Sequence, residues 1–260
     1  MNHGKRHRIA ESFTRAADTY ENFAWVQKQT GRKLATLLPT DRDISLILEA
    51  GCGTGFYTGL LNHTYPGARI IALDIAHGMV QTASERFRTH KSIEFINADA
   101  EHLPLRPGQS FDLVTSNGVF QWFGQLEASL TCLKDILVPG GIFAISLFGN
   151  RTLTELATAI RYGINKKANI AAASFPDIKK IQEVTSRLFP DVEIEERSVV
   201  RTYPDLPAML RALKMTGVVP AGTTPVIRTK GQIKRIEREY MASYGAIRAS
   251  YHTIFIKAHT

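Results

Sequence analysis

The residues of this 260-residue chain best suited to holding a small molecule lie in one run, Glu49-Ala50-Gly51-Cys52-Gly53-Thr54-Gly55. Alternating glycines let the backbone take positive φ and let a ligand approach without meeting a Cβ. A helix that starts just after them presents N–H groups with no internal partner. A plain tight turn or a dinucleotide site would use the same glycines. The dinucleotide spacing G-x-G-x-x-G, counted from Gly51, needs glycine at position 56, where the chain has Phe56, and this argues against NAD. Downstream, Asp74 closes a strand-like run. Its two oxygens suit the paired hydroxyls of a ribose, and its alternative role is the N-cap of a helix from His77 to Phe87. Asp99 follows the next such run, with a surface-loop aspartate as its plain alternative. Asn117 closes the one after that, and there the alternative is an Asn-Gly turn.

These residues need a scaffold that brings strand ends together. Runs rich in apolar and β-branched residues, at Ser45–Ala50, Arg69–Asp74, Ile93–Asn97, Phe111–Ser116 and Ile142–Phe148, alternate with helix-length segments. That alternation predicts right-handed βαβ crossovers and a mainly parallel sheet with helices on both faces. Two helices, Ile9–Ala17 and Phe23–Leu38, precede it. Two last strands, Val192–Val200 and Ser250–Lys257, are joined by helices around Leu206–Met215 and Gln232–Tyr244. Val138-Pro139-Gly140-Gly141 reads as a turn before the fifth strand, with glycine ending a helix. Arg161–Phe175 is hard to assign and suits an insertion covering the site. We expect one domain: a lid over 1–40, a core over 41–150, a cap or insertion over 151–200, and completion of the sheet over 201–260.

Composition narrows the function. No apolar run approaches the ~20 residues of a membrane-spanning helix, and Met1 to Arg8 lacks the apolar stretch of a signal peptide, so a soluble cytoplasmic protein with no membrane partner is expected. Cys52 and Cys132 are the two cysteines, too few for a disulfide framework and not in metal-ligand spacing, so no metal is expected. The net charge of +8 favours acidic partners. The basic residues are dispersed rather than interleaved with aromatics in a tract, which argues against nucleic acid.

With these residues in view, Glu49-x-Gly51-x-Gly53-x-Gly55 resembles the first motif of class I methyltransferases that use S-adenosylmethionine (SAM). The resemblance implies a Rossmann-like fold with a seven-stranded sheet, and SAM as cofactor. Glu49 would then face the cationic methionine end, while Gly51, Cys52, Gly53 and Gly55 would cradle the ligand. Asp74, with Ile75, would take the ribose. Asp99, with Ala100, would accept the adenine amino group, and Asn117 would lie beside the sulfonium.

More specific are Phe13-Thr14-Arg15-Ala16-Ala17-Asp18-Thr19-Tyr20-Glu21, Ser116 to Trp122, Thr152-Leu153-Thr154-Glu155-Leu156, Tyr203-Pro204-Asp205 and Leu210 to Gly217. Together they resemble the malonyl-acyl-carrier-protein O-methyltransferases of biotin synthesis. That family methylates the free carboxylate of a malonyl thioester, so an acyl-carrier protein is the expected partner. No general base is needed, because a carboxylate with pKa near 4 is already ionised at neutral pH. The chain must hold oxygen, methyl carbon and sulfur in line. Arg201 is the expected carboxylate partner, with Tyr20 as a further donor and Gln121, Trp122 and Phe175 lining or closing the pocket. Two alternatives stand: another small-molecule methyltransferase of this fold, and a SAM-binding regulatory protein without turnover.

Overall fold

A computed structural model describes residues 3–104, 109–164, 170–216, 227 and 229–260. Two helices lead the chain, α1 (His3–Phe23) and α2 (Trp25–Ala35). The α1 helix is far longer than Ile9–Ala17, because nothing from Asp18 to Phe23 is a glycine or proline that would stop it. Ala24 N–H still donates to Tyr20 O (2.9 Å), and Lys28 N–H to Ala24 O (2.9 Å), across the joint. The α1 helix packs against α4 (His77–Arg86). A Cβ on Gly78 would stand 2.8 Å from Thr14 O, so the absence of a side chain sets how closely the two helices approach.

The sheet has seven strands in the order β3-β2-β1-β4-β5-β7-β6. They are β1 (Leu46–Ala50), β2 (Arg69–Asp74), β3 (Ile93–Asn97), β4 (Phe111–Asn117), β5 (Leu137–Phe148), β6 (Asp191–Tyr203) and β7 (Ile247–His259). The first five pair in parallel, and β7 is antiparallel to both β5 and β6. The central strands are buried on both faces and read as nearly unbroken apolar runs. This is the Rossmann-like class I methyltransferase fold. Its order reverses at β1, with β2 and β4 on either side, where ligands of open α/β sheets bind.

Three expectations change. First, Val138-Pro139-Gly140-Gly141 does not end a helix: α5 (Leu126–Asp135) has already stopped, and the four residues lie within β5. Phe111 is opposite Leu137 while Leu113 is opposite Ile142, so the segment is a bulge. Gly140 at φ 72° turns it, and Gly140 N–H to Thr260 O (3.3 Å) and Thr260 N–H to Gly141 O (3.1 Å) clasp it to the last strand. Second, residues 151–200 do not form a single cap. The α7 helix (Ile178–Leu188) lays Ile181 and Val184 into the core beside Phe143 and Ile256, and β6 begins at Asp191. Third, of Arg161–Phe175, residues 161–163 end α6 (Thr154–Gly163) and Ala171–Ser174 form a short 3-10 turn, with 165–169 outside the described residues.

Helices α3 (Phe56–Thr64), α8 (Leu206–Met215) and α9 (Lys230–Tyr244) complete the chain. The α9 helix opens with a reciprocal capping box between Thr229 and Gln232, of the kind that contributes about 1 kcal/mol. It closes on Gly245 at φ 68°. A second apolar cluster joins α6, α8, α9 and the ends of β5, β6 and β7. It forms the wall behind one end of the site.

Candidate active site at the carboxyl end of the sheet

The glycine turn joins β1 to α3, and Gly51, Gly53 and Gly55 all have positive φ (79°, 53° and 83°). Their reasons differ. A Cβ at Gly51 would lie 2.2 Å from Val119 Cγ2, and one at Gly55 2.8 Å from Phe87 Cε2, whereas one at Gly53 would meet none of the described residues within 4 Å. Packing thus demands the outer two, and no described residue fills the space at the middle one. Gly51 N–H and Cys52 N–H both donate to Leu73 O (2.7 and 3.0 Å), which stitches the turn to the end of β2.

Asp74 completes that stitching. Its Oδ2 accepts from Gly53 N–H (3.0 Å) and its Oδ1 from Ala76 N–H (2.8 Å). The α4 N-cap is Ala76 and makes no side-chain cap bond, so the alternative reading of Asp74 as N-cap is replaced by a tether between the glycine turn and the loop from β2 to α4. Burial raises its pKa, and the two backbone N–H groups work against that. Glu49 lies deeper. It is fully buried, its Oε2 accepts from Thr58 Oγ1 (2.6 Å), and its Oε1 has no hydrogen-bond partner among the described residues. Burial pushes its pKa up to about 8, with the nearby Asp74 adding to the shift and the Thr58 bond opposing it.

A cleft of about 890 Å3, counted to its open mouth, runs over these strand ends. Of the expected cofactor residues, Gly51, Gly53, Asp74, Ile75, Asp99, Ala100 and Asn117 line it. Cys52 lines a smaller adjoining pocket with Thr54, Phe56 and Lys28. Glu49 and Gly55 line neither and support the turn from below. The Asn117 side chain makes three hydrogen bonds: Oδ1 accepts from Thr30 Oγ1 (2.9 Å) and Ser146 Oγ (2.7 Å), and Nδ2 donates to Gln27 O (3.0 Å). It therefore locks α2 onto β4 and β5, while the Asn-Gly turn is also real, with Gly118 at φ 74°.

Asp99 is reached from α1. Arg6 Nη1 donates to Asp99 Oδ2 (2.9 Å), His102 Nδ1 lies 3.1 Å from the same oxygen, and Glu101 N–H donates to Oδ1 (2.9 Å). Partial burial would raise the Asp99 pKa, but these three partners hold it below the usual carboxylate range. A second contact from α1 centres on Glu21, whose carboxylate receives Thr54 Oγ1, Lys28 Nζ and, at 3.6 Å, Arg86 Nη1. Burial works against its ionisation, but these bonds and charges lower its pKa. Arg6, Ile9, Phe13 and Tyr20 all line the cleft from one face of α1. The sequence expectation missed Arg6, Ile9 and Phe13. Their helical spacing to Tyr20 was the available signal, and a helix begun at Ile9 left Arg6 outside it.

On the opposite side, Gln121 and Trp122 line the cleft facing Tyr20, joined by Val119, Phe148 and Thr216. The Tyr20 phenol makes no hydrogen bond among the described residues. Burial and the carboxylates of Asp74 and Glu21 raise its pKa, so it stays a neutral donor. The Gln121 amide is occupied, donating to Gly118 O (2.6 Å) and accepting from Phe148 N–H (3.3 Å). Phe175 does not close the mouth: it is buried behind Trp122, edge-on at 5.2 Å.

Arg201 is not among the lining residues either. Its guanidinium lies over Trp25 (5.7 Å) and Tyr203 (5.1 Å), and Nη1 donates to Phe23 O (3.4 Å). It braces the α1–α2 joint from the end of β6. Arg151, another cation near that strand, pairs with Glu196 and approaches His252 Nε2 (2.8 Å).

Comparison with known proteins agrees with this geometry. Residues 48–145 match the profile of a methyltransferase domain. A malonyl-[acyl-carrier protein] O-methyltransferase of Acetivibrio thermocellus is 42% identical over 145 residues, covering 55% of this chain and 50% of that one. A malonyl-[acyl-carrier protein] O-methyltransferase 2 of Ilyobacter polytropus is 26% identical over 254 residues, 96% of each chain. The first of these matches thus spans about half the length of the relative. Among solved structures, the YcgJ protein of Bacillus subtilis superposes with a TM-score of 0.62 at 15% identity, covering 89% of this chain and 98% of that one. Residues 48–145 are thus similar to a methyltransferase domain, set in a chain with the Rossmann-like fold of class I methyltransferases.

Proposed function

We propose that the chain binds SAM in this cleft and methylates the free carboxylate of a malonyl thioester carried on acyl-carrier protein. The observation that carries the reading is the convergence on one cleft of an open glycine position, Gly53, two carboxylates at successive strand ends, Asp74 and Asp99, and a neutral phenol from the lid, Tyr20. The residues fit such a cofactor. The space at Gly53 lets a ligand lie on the backbone, Asp74 presents oxygens for ribose hydroxyls, and Asp99 presents one for an amino group. Curated relatives named for this reaction support the same reading.

SAM supplies an electrophilic methyl group. The chain's own residues then have three tasks. Phe148, Trp122 and Val119 exclude water around the carboxylate, which strengthens every polar contact there. Tyr20 donates a hydrogen bond to one carboxylate oxygen and leaves the other free to attack. The Asn117 and Gln121 amides, each occupied by backbone or hydroxyl partners, keep the β4 end rigid so that the approach stays in line. No residue needs to remove a proton.

The test supplies labelled SAM with malonyl- and succinyl-acyl-carrier protein. Methyl ester on the malonyl carrier supports the reading. Methylation of other small acids alone favours a different substrate, and SAM binding with no methylated product favours a regulatory protein.

A further inference from the structure

The cation expected to attract the substrate, Arg201, braces the lid, so recognition of an acidic carrier needs basic residues elsewhere. The outer face of α8 carries Arg211 and Lys214, both exposed, while Leu206, Met209, Ala212 and Leu213 point inward. Thr216, which caps the helix, lines the cleft. At 1.5 Å per residue, Lys214 and Arg211 stand about 3 and 8 Å along the helix from Thr216.

The α9 helix packs beside α8. Glu237 accepts from Leu206 N–H (3.1 Å), and Tyr240 Oη reaches Met209 Sδ (3.8 Å). Its exposed Lys230, Lys234 and Arg238 recur every four residues, with Met241 (53% exposed) continuing the stripe. No ion pair joins any of these five cations to another described residue. The outer edge of the sheet differs. There Lys33, Arg151, Arg197 and Lys257 are each paired with a glutamate of β6.

From this we infer that the outer faces of α8 and α9, with Arg211, Lys214, Lys234 and Arg238, form the docking surface for the acidic carrier protein, beside the mouth through which its thioester arm enters. The inference rests on the carrier reading of the cleft. Charge complementarity selects this occupant: five unpaired cations and an exposed methionine suit an acidic helical protein that must bind briefly and release. Steering by such a face acts mainly on encounter and is screened by salt.

Two charge-reversed variants test it, Arg211→Glu with Lys214→Glu and Lys234→Glu with Arg238→Glu. Each is compared with the parental chain for calorimetric binding of malonyl-acyl-carrier protein, and for KM with that carrier and with malonyl-CoA. At low ionic strength, carrier Kd and KM should rise about tenfold or more, and the gap should narrow as salt is added. The malonyl-CoA KM and SAM affinity should not change. Parental carrier affinity in both variants overturns the surface, and so does an equal loss for carrier and CoA substrates, because that would place the effect in the cleft. Phosphatidylserine vesicles and duplex DNA are bound in parallel. If the reversals abolish binding to either while carrier binding persists, the occupant is wrong. A parental chain that methylates neither thioester defeats the methyl-transfer reading, whereas the calorimetric result still decides the docking surface.

Discussion

Replacing Asp74 separates its two structural attachments from its proposed ligand contact. In Asp74→Ala the N–H groups of Gly53 and Ala76 lose a charged acceptor at 3.0 and 2.8 Å. Gly53 lines the cleft, so water can replace its partner, but Ala76 is fully buried and its N–H is left without one. A hydrogen bond to a charged group is worth about 1.5–3 kcal/mol and an orphaned buried donor costs about 1–3 kcal/mol. Relief from burying the carboxylate offsets part of this, which leaves a net loss of about 2–4 kcal/mol. For a chain of this size that lowers Tm by roughly 5–12 °C. Asp74→Asn keeps one carbonyl oxygen for Ala76 N–H but turns an NH2 towards Gly53 N–H, so its Tm should fall less. SAM affinity, read by calorimetry below the lowered Tm, should drop at least about tenfold in both variants, because neither can accept from two ribose hydroxyls. A folded Asp74→Ala chain with parental SAM affinity would refute the ribose role. A parental Tm in Asp74→Ala would refute the tether.

The turn glycines should respond in opposite ways: Gly51→Ala drives a Cβ into Val119 and should lower Tm strongly, whereas Gly53→Ala adds about 1–2 kcal/mol of backbone strain but blocks the ligand, so SAM affinity should fall most. Thermal melts and calorimetry on the pair distinguish the two. Glu49 has a folded-state pKa raised to about 8, so the native state binds the extra proton; its contribution is complete below the unfolded value near 4.3 and is lost as pH rises through about 8. The parental chain should therefore lose up to about 1.4 kcal/mol per pH unit across that window relative to Glu49→Gln, and parallel Tm values at all pH values would contradict this. Arg201→Ala should cost about 1 kcal/mol of stability through the lost Trp25 and Tyr203 contacts, with SAM affinity unchanged. A fall of two orders of magnitude in kcat/KM at parental stability would return Arg201 to the substrate.

How much of this was legible depended on whether the information was local. The bounds of β2 and β3 match the expected runs, and α8 matches Leu206–Met215, because period and flanking turn residues act over a few neighbours. Gly51, Gly53, Asp74 and Asp99 were visible for a similar reason: in a βαβ fold the end of each strand is already the site, wherever the strand is placed. The misplaced turn came from longer-range packing. Val138-Pro139-Gly140-Gly141 has the composition of a helix stop, but its role was set by residues 111, 113 and 260.

What the sequence by itself determined was therefore the fold class, the ligand turn and the carboxylates at the strand ends, since each follows from backbone chemistry within a short window. What only the tertiary structure decided was which side chains meet across that end. Arg6 reaches Asp99 over 93 positions, Glu21 reaches Thr54 over 33, and Arg201 turns onto Trp25 rather than into the cleft. No periodicity carries such pairings. They are set by how α1 docks on α4, where Gly78 sets the distance, and by the antiparallel return of β7 that carries β6 to the sheet's edge. A long flexible side chain takes the partner that this docking leaves within reach, and for Arg201 the partners are Trp25 at the α1–α2 joint and its own strand neighbour Tyr203.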